Sequence, residues 1–371
     1  MNLTRPVTPR YIYRSRAGRD SATFPLADEM EEPRDPDRPV DRLTALISTV
    51  PFGAVDPRPL DMLRESGIAP LINPLGRRPT EAELCELIRD ADLFIAGTEP
   101  ITDRVMSCAP RLRIISRVGI GLDNVDLAAA RRRGIVVCYT PDAPAAAVAE
   151  LTVGLMLSTL RSIHLANARV RAEGWHRFMG RRLSELTVGI IGVGRVGRRV
   201  IGLLAGFQPT ILANDLEPSG DVRGVRWVEK DEIYDLADVI SLHVPLTPMT
   251  RDLVTARQID RMKPDAILVN TSRGGIIREG DLAAALGSGR LAAAAVDVFR
   301  EEPYRGELLG MDRCLITCHM GSMSVDCRLR MELEATQNVL AYLRGTPTQV
   351  VPESEYEMQD TETRPSAWRN I

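Results

Sequence analysis

The chain has 371 residues, of which 44% are hydrophobic and only 4% aromatic, and this length exceeds what a single hydrophobic core normally supports. We therefore expect two domains of the α/β class, packed mainly with Ala, Val, Ile and Leu. The net charge of −3 excludes a strong electrostatic preference for nucleic acid or for an anionic membrane surface as a partner.

The N-terminal region, residues 1–42, is dense in Arg, Asp, Glu and Pro and shows little apolar periodicity. Because such a composition buries little apolar surface, we predict a poorly ordered extension. The region also lacks the apolar core of a signal peptide, and no segment of the chain approaches the roughly 18 apolar residues of a membrane helix. Six scattered cysteines indicate reduced thiols, so we expect a cytoplasmic protein that does not associate with membranes.

The next hundred residues alternate between short apolar runs and helical stretches. Strands that alternate with helices are typical of a parallel sheet, so we assign residues 43–145 to a first α/β domain. The predicted strands are residues 45–50, 91–98, 112–119 and 134–140.

A proline-free helical stretch, residues 145–174, connects this part to a second alternating series. Six short apolar runs separated by helical stretches predict a doubly wound, nucleotide-binding domain over residues 146–320. The predicted strands are residues 186–192, 210–215, 237–243, 266–272, 292–299 and 314–319. We expect the last long helix to cross back and complete the first domain with residues 321–345, and residues 346–371 to form a loose tail.

The motif Gly192-Val-Gly194-Arg-Val-Gly197 follows the first strand of the second series and opens a helix. Its glycines permit a tight turn, close approach of backbone to a pyrophosphate and close helix–strand packing, and the helix N-terminus attracts phosphate. The next strand ends at Asp215, eighteen residues beyond Gly197, where an acid accepts hydrogen bonds from the adenosine ribose. That acid repels a 2′-phosphate, so the sequence predicts NAD rather than NADP.

Three candidate catalytic residues stand at or just beyond the ends of later strands in this series. Arg273 ends the run AILVNTS, and a guanidinium can hold a carboxylate through two parallel hydrogen bonds. Glu302 follows the run AAAAVDVF, and His319 ends the run CLITCH. A histidine titrates near neutrality and a carboxylate beside it stabilises the imidazolium, so this pair suits acid–base chemistry.

The cysteines around His319 raise the alternative of a metal site. Cys314 and Cys318 lie four residues apart on a predicted strand, which separates them by about 13 Å, whereas one zinc ion needs its sulfurs nearly in contact. We therefore predict no metal site, and we expect the cysteines to pack in the core.

Several separate stretches together resemble the D-isomer-specific 2-hydroxyacid dehydrogenases, and especially their phosphoglycerate dehydrogenase-like branch. The resemblance covers roughly residues 43–345. It rests on the glycine motif and on SRVGIGLDN at 116–124, VAE at 148–150, LHVPLT at 242–247, VNTSRGG at 269–275, DVFREEP at 297–303 and HMG at 319–321.

The resemblance implies two doubly wound parallel-sheet domains, a flavodoxin-like substrate domain and a Rossmann NAD-binding domain, with the active site in the cleft between them. It implies that Arg273 orients the substrate, that His319 donates and accepts the proton and that Glu302 is the partner of His319. Val118 and Gly119 would offer backbone groups to a small anionic substrate, and Asp297 would lie near the nicotinamide. The connecting helix and its arm would form a homodimer interface.

We expect further cofactor contacts on both sides of the glycine loop. They are Arg195, Val196, His243, Val244, Pro245, Thr250, Thr271, Ser272, Arg273, Asp297, His319 and Gly321.

Two positions depart from the family pattern. The loop TPDAP at 140–144 has Asp and Pro where many relatives have Gly and Asn, and residues 94–100 carry no arginine where phosphoglycerate dehydrogenases often hold the substrate phosphate. A phosphorylated substrate would need another cation, and Arg77, Arg78 and Arg104 are candidates. Two alternatives to a hydroxyacid dehydrogenase stay open: a relative recruited to a phosphonate alcohol or aldehyde, and an NAD-sensing binding protein similar to the C-terminal-binding protein corepressors.

Overall fold

The computed structural model describes residues 43–218 and 221–359, so the predicted N-terminal extension and the end of the predicted tail lie outside the described residues. The described chain contains two parallel sheets, of five and seven strands, with helices on both sides. This arrangement confirms the predicted class of two doubly wound α/β sheets.

The first sheet has the order β2-β1-β3-β4-β5, and every pair is parallel. Its strands are β1 (Thr44–Ile47), β2 (Ala69–Ile72), β3 (Leu93–Ala96), β4 (Ile114–Arg117) and β5 (Val136–Cys138), and its helices are α1 (Arg58–Glu65), α2 (Glu81–Leu87), α3 (Asp103–Ser107) and α4 (Leu127–Arg132). Strand β2 was not predicted. It is an edge strand of four residues that is partly exposed, and its proline is typical of an edge strand and not of a central one.

The predicted connecting helix is two helices, α5 (Ala145–Leu160) and α6 (Ile163–Arg171), bent by 63°. The break falls at Ser162, which adopts a left-handed conformation with φ of 50°. Helix α5 packs on α7 of the second sheet and has buried side chains along most of its length, whereas none of the α6 side chains is buried. Among the described helices, none is by itself long and apolar enough to cross a bilayer; the bent pair meets those criteria only when taken together.

The second sheet has the order β12-β11-β10-β9-β6-β7-β8, again with parallel pairs throughout. Its strands are β6 (Thr187–Ile191), β7 (Thr210–Asn214), β8 (Arg226–Trp227), β9 (Val239–Leu242), β10 (Ile267–Asn270), β11 (Ala293–Val296) and β12 (Cys314–Ile316). The helices between them are α7 (Arg195–Leu204), α8 (Lys230–Leu236), α9 (Ala256–Ile259) and α10 (Glu279–Ser288). The strand order reverses between β6 and β9, and ligands of such sheets bind outside the strand ends at this switch point.

The long helix α11 (Val325–Leu343) follows the second sheet but packs on β3, β4 and α1 of the first. Its apolar face, including Met331, Ala335 and Val339, is buried in the core on that side of the first sheet. The same helix carries a buried ion pair between Arg328 Nε and Glu332, 2.6 Å apart, which ties it to the loop after β1. A last helix, α12 (Glu353–Gln359), packs on α4, within the segment that the sequence predicts to be a loose tail.

Candidate active site

Three of the predicted site residues stand at one edge of the second sheet. Arg273, Asp297 and His319 follow the neighbouring strands β10, β11 and β12, and parallel strands end at the same edge. The turn that begins with Arg273 lies directly against the segment that leads to Glu302. An added Cβ on Gly274 would come within 2.0 Å of the Phe299 backbone, so only glycine permits this approach.

His319 and Glu302 form a hydrogen-bonded pair. The imidazole Nδ1 lies 2.9 Å from Glu302 Oε2 and 3.1 Å from Oε1, which leaves Nε2 as the nitrogen that faces away from the carboxylate. Burial alone would raise the pKa of Glu302, but the hydrogen bond and charge of His319, the backbone N–H of Phe299 and the charge of Arg78 together hold it below its ordinary value. The carboxylate is therefore ionised and can orient and stabilise the imidazolium.

Asp297 holds the loop that carries His319. Its buried carboxylate accepts hydrogen bonds from Thr317 Oγ1 at 2.5 Å and from the backbone N–H groups of Met320 and Gly321 at 3.0 Å. The His319 N–H in turn donates to the Asp297 carbonyl at 2.7 Å. His319 has a positive φ of 54°, and these bonds hold that uncommon conformation in place.

Arg273 is fixed by a carboxylate that the sequence analysis did not single out. Its Nε donates to Asp123 Oδ1 at 2.8 Å, and Nη1 donates to the Ser272 carbonyl at 2.7 Å. Burial opposes ionisation of Asp123, but the charge and hydrogen bond of Arg273 lower its pKa below the ordinary value. The guanidinium lies so close to Gly121 that an added Cβ there would be 1.4 Å from Nη2.

The structure places the predicted backbone contacts of the SRVGIGLDN stretch differently from the expectation. The Val118 N–H donates to the Ala96 carbonyl at 2.9 Å, and the Gly119 N–H donates to Thr140 Oγ1 at 2.8 Å. Both groups are therefore used inside the protein. The next two residues, Ile120 and Gly121, line the cavity beside Arg273.

Arg117 lies buried at the end of β4 and bonds to other residues of this stretch. Its Nε donates to Asn124 at 3.2 Å, and its Nη1 donates to the Val118 carbonyl at 2.5 Å. Burial lowers its pKa to about 10; the charge of nearby Arg273 adds to this shift, and the charge of buried Glu99 opposes it. The first sheet thus presents a second cation and a carboxylate close to the substrate-binding arginine candidate.

The glycine motif has the geometry that a dinucleotide needs. Gly192 has φ of 93° and lies under the His243 carbonyl, and an added Cβ on Gly197 would come within 2.1 Å of the Gly192 carbonyl. Gly194 begins α7, and open space surrounds the position of an added Cβ there, as expected where a phosphate approaches a helix N-terminus. Asp215 stands at the end of β7, where its Oδ2 accepts from the Val193 N–H at 2.5 Å. The glycine motif therefore fits a pyrophosphate, and Asp215 fits the adenosine ribose.

A cavity of about 670 Å³ extends from the glycine motif to Arg273. Half of the predicted cofactor contacts line it: Arg195, Val196, His243, Val244, Pro245, Thr271, Ser272 and Arg273. Asp297, His319 and Gly321 are not among its lining residues. Thr250 does not line it either; its hydroxyl donates to the Pro245 carbonyl at 2.6 Å and so fixes the turn behind the cavity wall. Burial lowers the pKa of His243 to about 4, and its Nδ1 has no hydrogen-bond partner among the described residues, so a neutral imidazole lines the cavity.

Another wall of the cavity is formed by helix α12, which lies in the segment that the sequence predicts to be a loose tail. Glu355, Met358 and Gln359 line the cavity, and Gln359 Nε2 donates to the Leu122 carbonyl at 2.8 Å. Burial raises the pKa of Glu355, while the charge of Arg195 opposes the rise. Arg195 Nε also donates to Asp142 Oδ1 at 2.9 Å, so the acid of the unusual 140–144 loop contacts the glycine motif. No sequence signal marked these contacts, because they join segments far apart in the chain.

The cysteines near His319 lie in separate environments. Cys314 is buried on β12, Cys318 is exposed and Cys327 is buried on α11. Burial raises the pKa of the Cys314 thiol to about 12, so it is protonated at neutral pH. Among residues 43–218 and 221–359, no group of three or more His, Cys, Asp or Glu side chains is arranged to hold a metal ion.

Together, the fold, the glycine loop and the strand-edge histidine define a class of dinucleotide-binding α/β proteins. Residues 153–321 match the family model described as D-isomer specific 2-hydroxyacid dehydrogenase, NAD binding domain. The chain is 40% identical to D-3-phosphoglycerate dehydrogenase from Methanocaldococcus jannaschii, over 72% of this chain and 52% of that protein. It is 36% identical to glyoxylate reductase from Thermofilum pendens, over 72% of this chain and 83% of that protein.

A solved structure of D-lactate dehydrogenase from Aquifex aeolicus, complexed with NAD and lactic acid, superposes with a TM-score of 0.73 and 26% identity, covering 82% of this chain and 96% of that one. The chain belongs to the D-isomer specific 2-hydroxyacid dehydrogenase family, in the branch that resembles phosphoglycerate dehydrogenase. It spans about half the length of the D-3-phosphoglycerate dehydrogenases that it matches.

Proposed function

We propose that the protein is an NAD-dependent oxidoreductase that transfers hydride between the cofactor and a small 2-hydroxy or 2-oxo acid. The observation that carries this proposal is the pair formed by His319 Nδ1 and Glu302 at 2.9 Å, held at the same sheet edge as Arg273. A relative recruited to phosphonates and a corepressor-like binding protein are both less favoured, since the relatives described above are named as dehydrogenases or reductases of hydroxy or oxo acids.

The acid–base role falls to His319. When bound, the cofactor supplies or accepts the hydride. In the reducing direction the imidazolium donates its Nε2 proton to the substrate oxygen, and in the oxidising direction the neutral imidazole accepts the hydroxyl proton. Glu302 keeps Nδ1 protonated and stabilises the imidazolium, and Asp297 keeps the ring in place through the 317–321 loop.

The substrate carboxylate is assigned to Arg273. With Nε committed to Asp123 and Nη1 to the Ser272 carbonyl, Nη2 is the guanidinium nitrogen left for the ligand. We assign the accompanying backbone donors to Ile120 and Gly121, which line the cavity and whose N–H groups make no hydrogen bond within the described residues. Val118 and Gly119, the sequence-based candidates, are less suited because their N–H groups are already used.

The preference for NAD over NADP rests on Asp215. Its carboxylate stands at the end of β7 and already accepts the Val193 N–H, so a 2′-phosphate there would meet a negative charge. Asp215→Ala should therefore raise the KM for NAD, whereas it should raise the KM for NADP much less or lower it.

The proposed reaction is tested by following NADH absorbance with glyoxylate, hydroxypyruvate or 3-phosphohydroxypyruvate as the acceptor. We expect turnover with at least one of these acids, and we expect His319→Gln to lose about 10² to 10⁴ of kcat while it still binds NADH. NADH binding without turnover of any 2-oxo or 2-hydroxy acid would contradict the proposal.

We further propose that the protein acts in the cytoplasm as a homodimer joined through α6 and the segment that follows it. Trp175 is 86% exposed and Met179 is 98% exposed, next to the exposed Ile163 and Val170. Exposed large apolar side chains grouped in this way mark interaction surfaces. The double substitution Trp175→Glu and Met179→Glu should shift the mass measured by light scattering to that of one chain, and an unchanged mass would refute this interface.

A further inference from the structure

A second cavity, of about 440 Å³, opens beside the acid–base pair. It is lined by Arg78, Arg300, Glu301, Glu302, Pro303 and Arg305, and it shares none of these residues with the cofactor cavity. Arg78 comes from the loop after β2 of the first sheet, and the others come from the loop after β11 of the second. The cavity therefore brings the two sheets' loops together at the carboxylate that holds His319.

Some of the charged side chains that line this cavity have hydrogen-bond or ion-pair partners, and others do not. Arg300 pairs with Asp252 at 3.2 Å, and Glu302 is used by His319 and by the Phe299 N–H. The side chains of Arg78 and Arg305 have no hydrogen-bond or ion-pair partner within residues 43–218 and 221–359. The lining carries three arginines and two glutamates, and the charge of Arg78 also acts on the Glu302 carboxylate, so the excess of positive charge amounts to one guanidinium group.

We propose that this cavity is a binding site for a small oxyanion, such as a phosphoryl or carboxylate group, held by Arg78 and Arg305. Two guanidinium groups from different loops supply the fork-shaped donors that phosphate and carboxylate oxygens accept. The anion would lie next to Glu302, with that carboxylate already neutralised by His319 whenever the imidazole is protonated. Binding would also join the loop after β2 to the loop after β11.

The loop after β3 does not compete for this role. Its charged residue is Glu99, which is buried and accepts hydrogen bonds from Ser48 and from the Gly97 N–H at 2.7 Å. Residues 97–102 offer no cation to an anionic group, so a ligand with a second negative charge is better placed toward Arg78 and Arg305. Of the three arginines that the sequence offers for such a group, Arg78 alone lines this cavity; Arg77 pairs with Glu83, and Arg104 lies near Glu81.

The first experiment measures binding of inorganic phosphate by calorimetry at fixed ionic strength, using the full chain. Arg78→Gln with Arg305→Gln should weaken phosphate binding at least about 10-fold, the effect expected when charge-assisted hydrogen bonds are lost. The control double variant, Arg64→Gln with Arg89→Gln, loses the same charge from exposed arginines elsewhere and should bind like the wild type. Phosphate binding that is absent in the wild type, or equal in the two double variants, would overturn the site.

A second experiment identifies the source of the anion, and this step rests on the proposed function. Hydroxypyruvate and 3-phosphohydroxypyruvate differ only in a phosphoryl group. If that group occupies the site, the Arg78/Arg305 variant should lose about 10-fold more of its kcat/KM for the phosphorylated acid than for hydroxypyruvate, and phosphate should compete with the phosphorylated acid. If a free anion occupies the site, phosphate should bind to the enzyme saturated with either acid. Should the wild type reduce neither acid yet bind phosphate through these arginines, the site would stand and the proposed function would fall.

Discussion

Replacing Gly121 with alanine tests whether the position of one guanidinium controls substrate binding. An added Cβ would lie 1.4 Å from Arg273 Nη2, 2.5 Å from its Cζ and 2.9 Å from Asp123 Oδ1. To restore an ordinary contact distance the guanidinium must move by about 2 Å. Because the obstructing atoms are the end of a flexible side chain rather than backbone, we expect the fold to accommodate the methyl group at the expense of the Arg273–Asp123 geometry.

The displacement should cost the charge-assisted hydrogen bonds between Arg273 and the substrate carboxylate. Such bonds contribute about 1.5 to 3 kcal/mol, so kcat/KM should fall by about 10- to 150-fold. Steady-state kinetics gives this value, and NADH binding and the thermal midpoint should change little. Gly154→Ala is the matched control, since open space surrounds that position on α5. Unchanged kinetics in Gly121→Ala would refute the role of Arg273, and a large fall in thermal midpoint would refute the claim that only a side chain moves.

Three further predictions concern groups that line or support the site. Burial lowers the pKa of His243 to about 4 from an ordinary 6.5. The neutral imidazole therefore contributes its full share to the free energy of unfolding above pH 6.5, and this share is lost as the pH falls toward 4. His243→Asn should remove up to about 3 kcal/mol of this pH dependence in thermal unfolding, and an unaltered dependence would contradict it. Glu302→Gln keeps a hydrogen bond but removes the charge, so kcat should fall by about 10²-fold with little change in NADH affinity; a kcat like that of the wild type would exclude the positioning role. Glu355→Gln removes a carboxylate whose charge acts on Arg195, and it should tighten NADH binding by about fivefold, close to 1 kcal/mol. Glu353→Gln, which alters the exposed partner of Arg131 on the same helix, should leave NADH binding unchanged. Weaker NADH binding in Glu355→Gln would show that the acid assists the cofactor.

Much of the architecture follows from local patterns in the sequence. The central strands are continuous apolar runs because both of their faces are covered, and the glycine motif stands between β6 and α7 where the spacing predicts it. Strand β2 escaped prediction because its proline argues against a strand, and β8 escaped because it is only two residues long and begins with an arginine. The bend at Ser162 escaped as well, since nothing in the proline-free helical pattern marks a left-handed residue.

Contacts between distant segments explain the rest of what the sequence did not reveal. Arg273 and His319 could be located because functional side chains collect at the ends of parallel strands. Asp123 could not, because its role depends on a contact with Arg273, which lies 150 positions further along the chain. The backbone donors that we propose beside Arg273 depend on the turn after β4, where the N–H groups of Val118 and Gly119 bond within the protein and the next two residues line the cavity. A sequence motif identifies such a turn without indicating which of its N–H groups is free.

Helix α12 is a suitable position for a probe that reports ligand binding. Gln359 bonds to the Leu122 carbonyl, one residue before the aspartate that holds Arg273, while Glu357 on the same helix is exposed. An environment-sensitive dye attached to a cysteine at Glu357 would therefore stand at the rim of the cofactor cavity without touching its lining. For the same reason, shortening the chain to the end of α11 would remove residues that line that cavity.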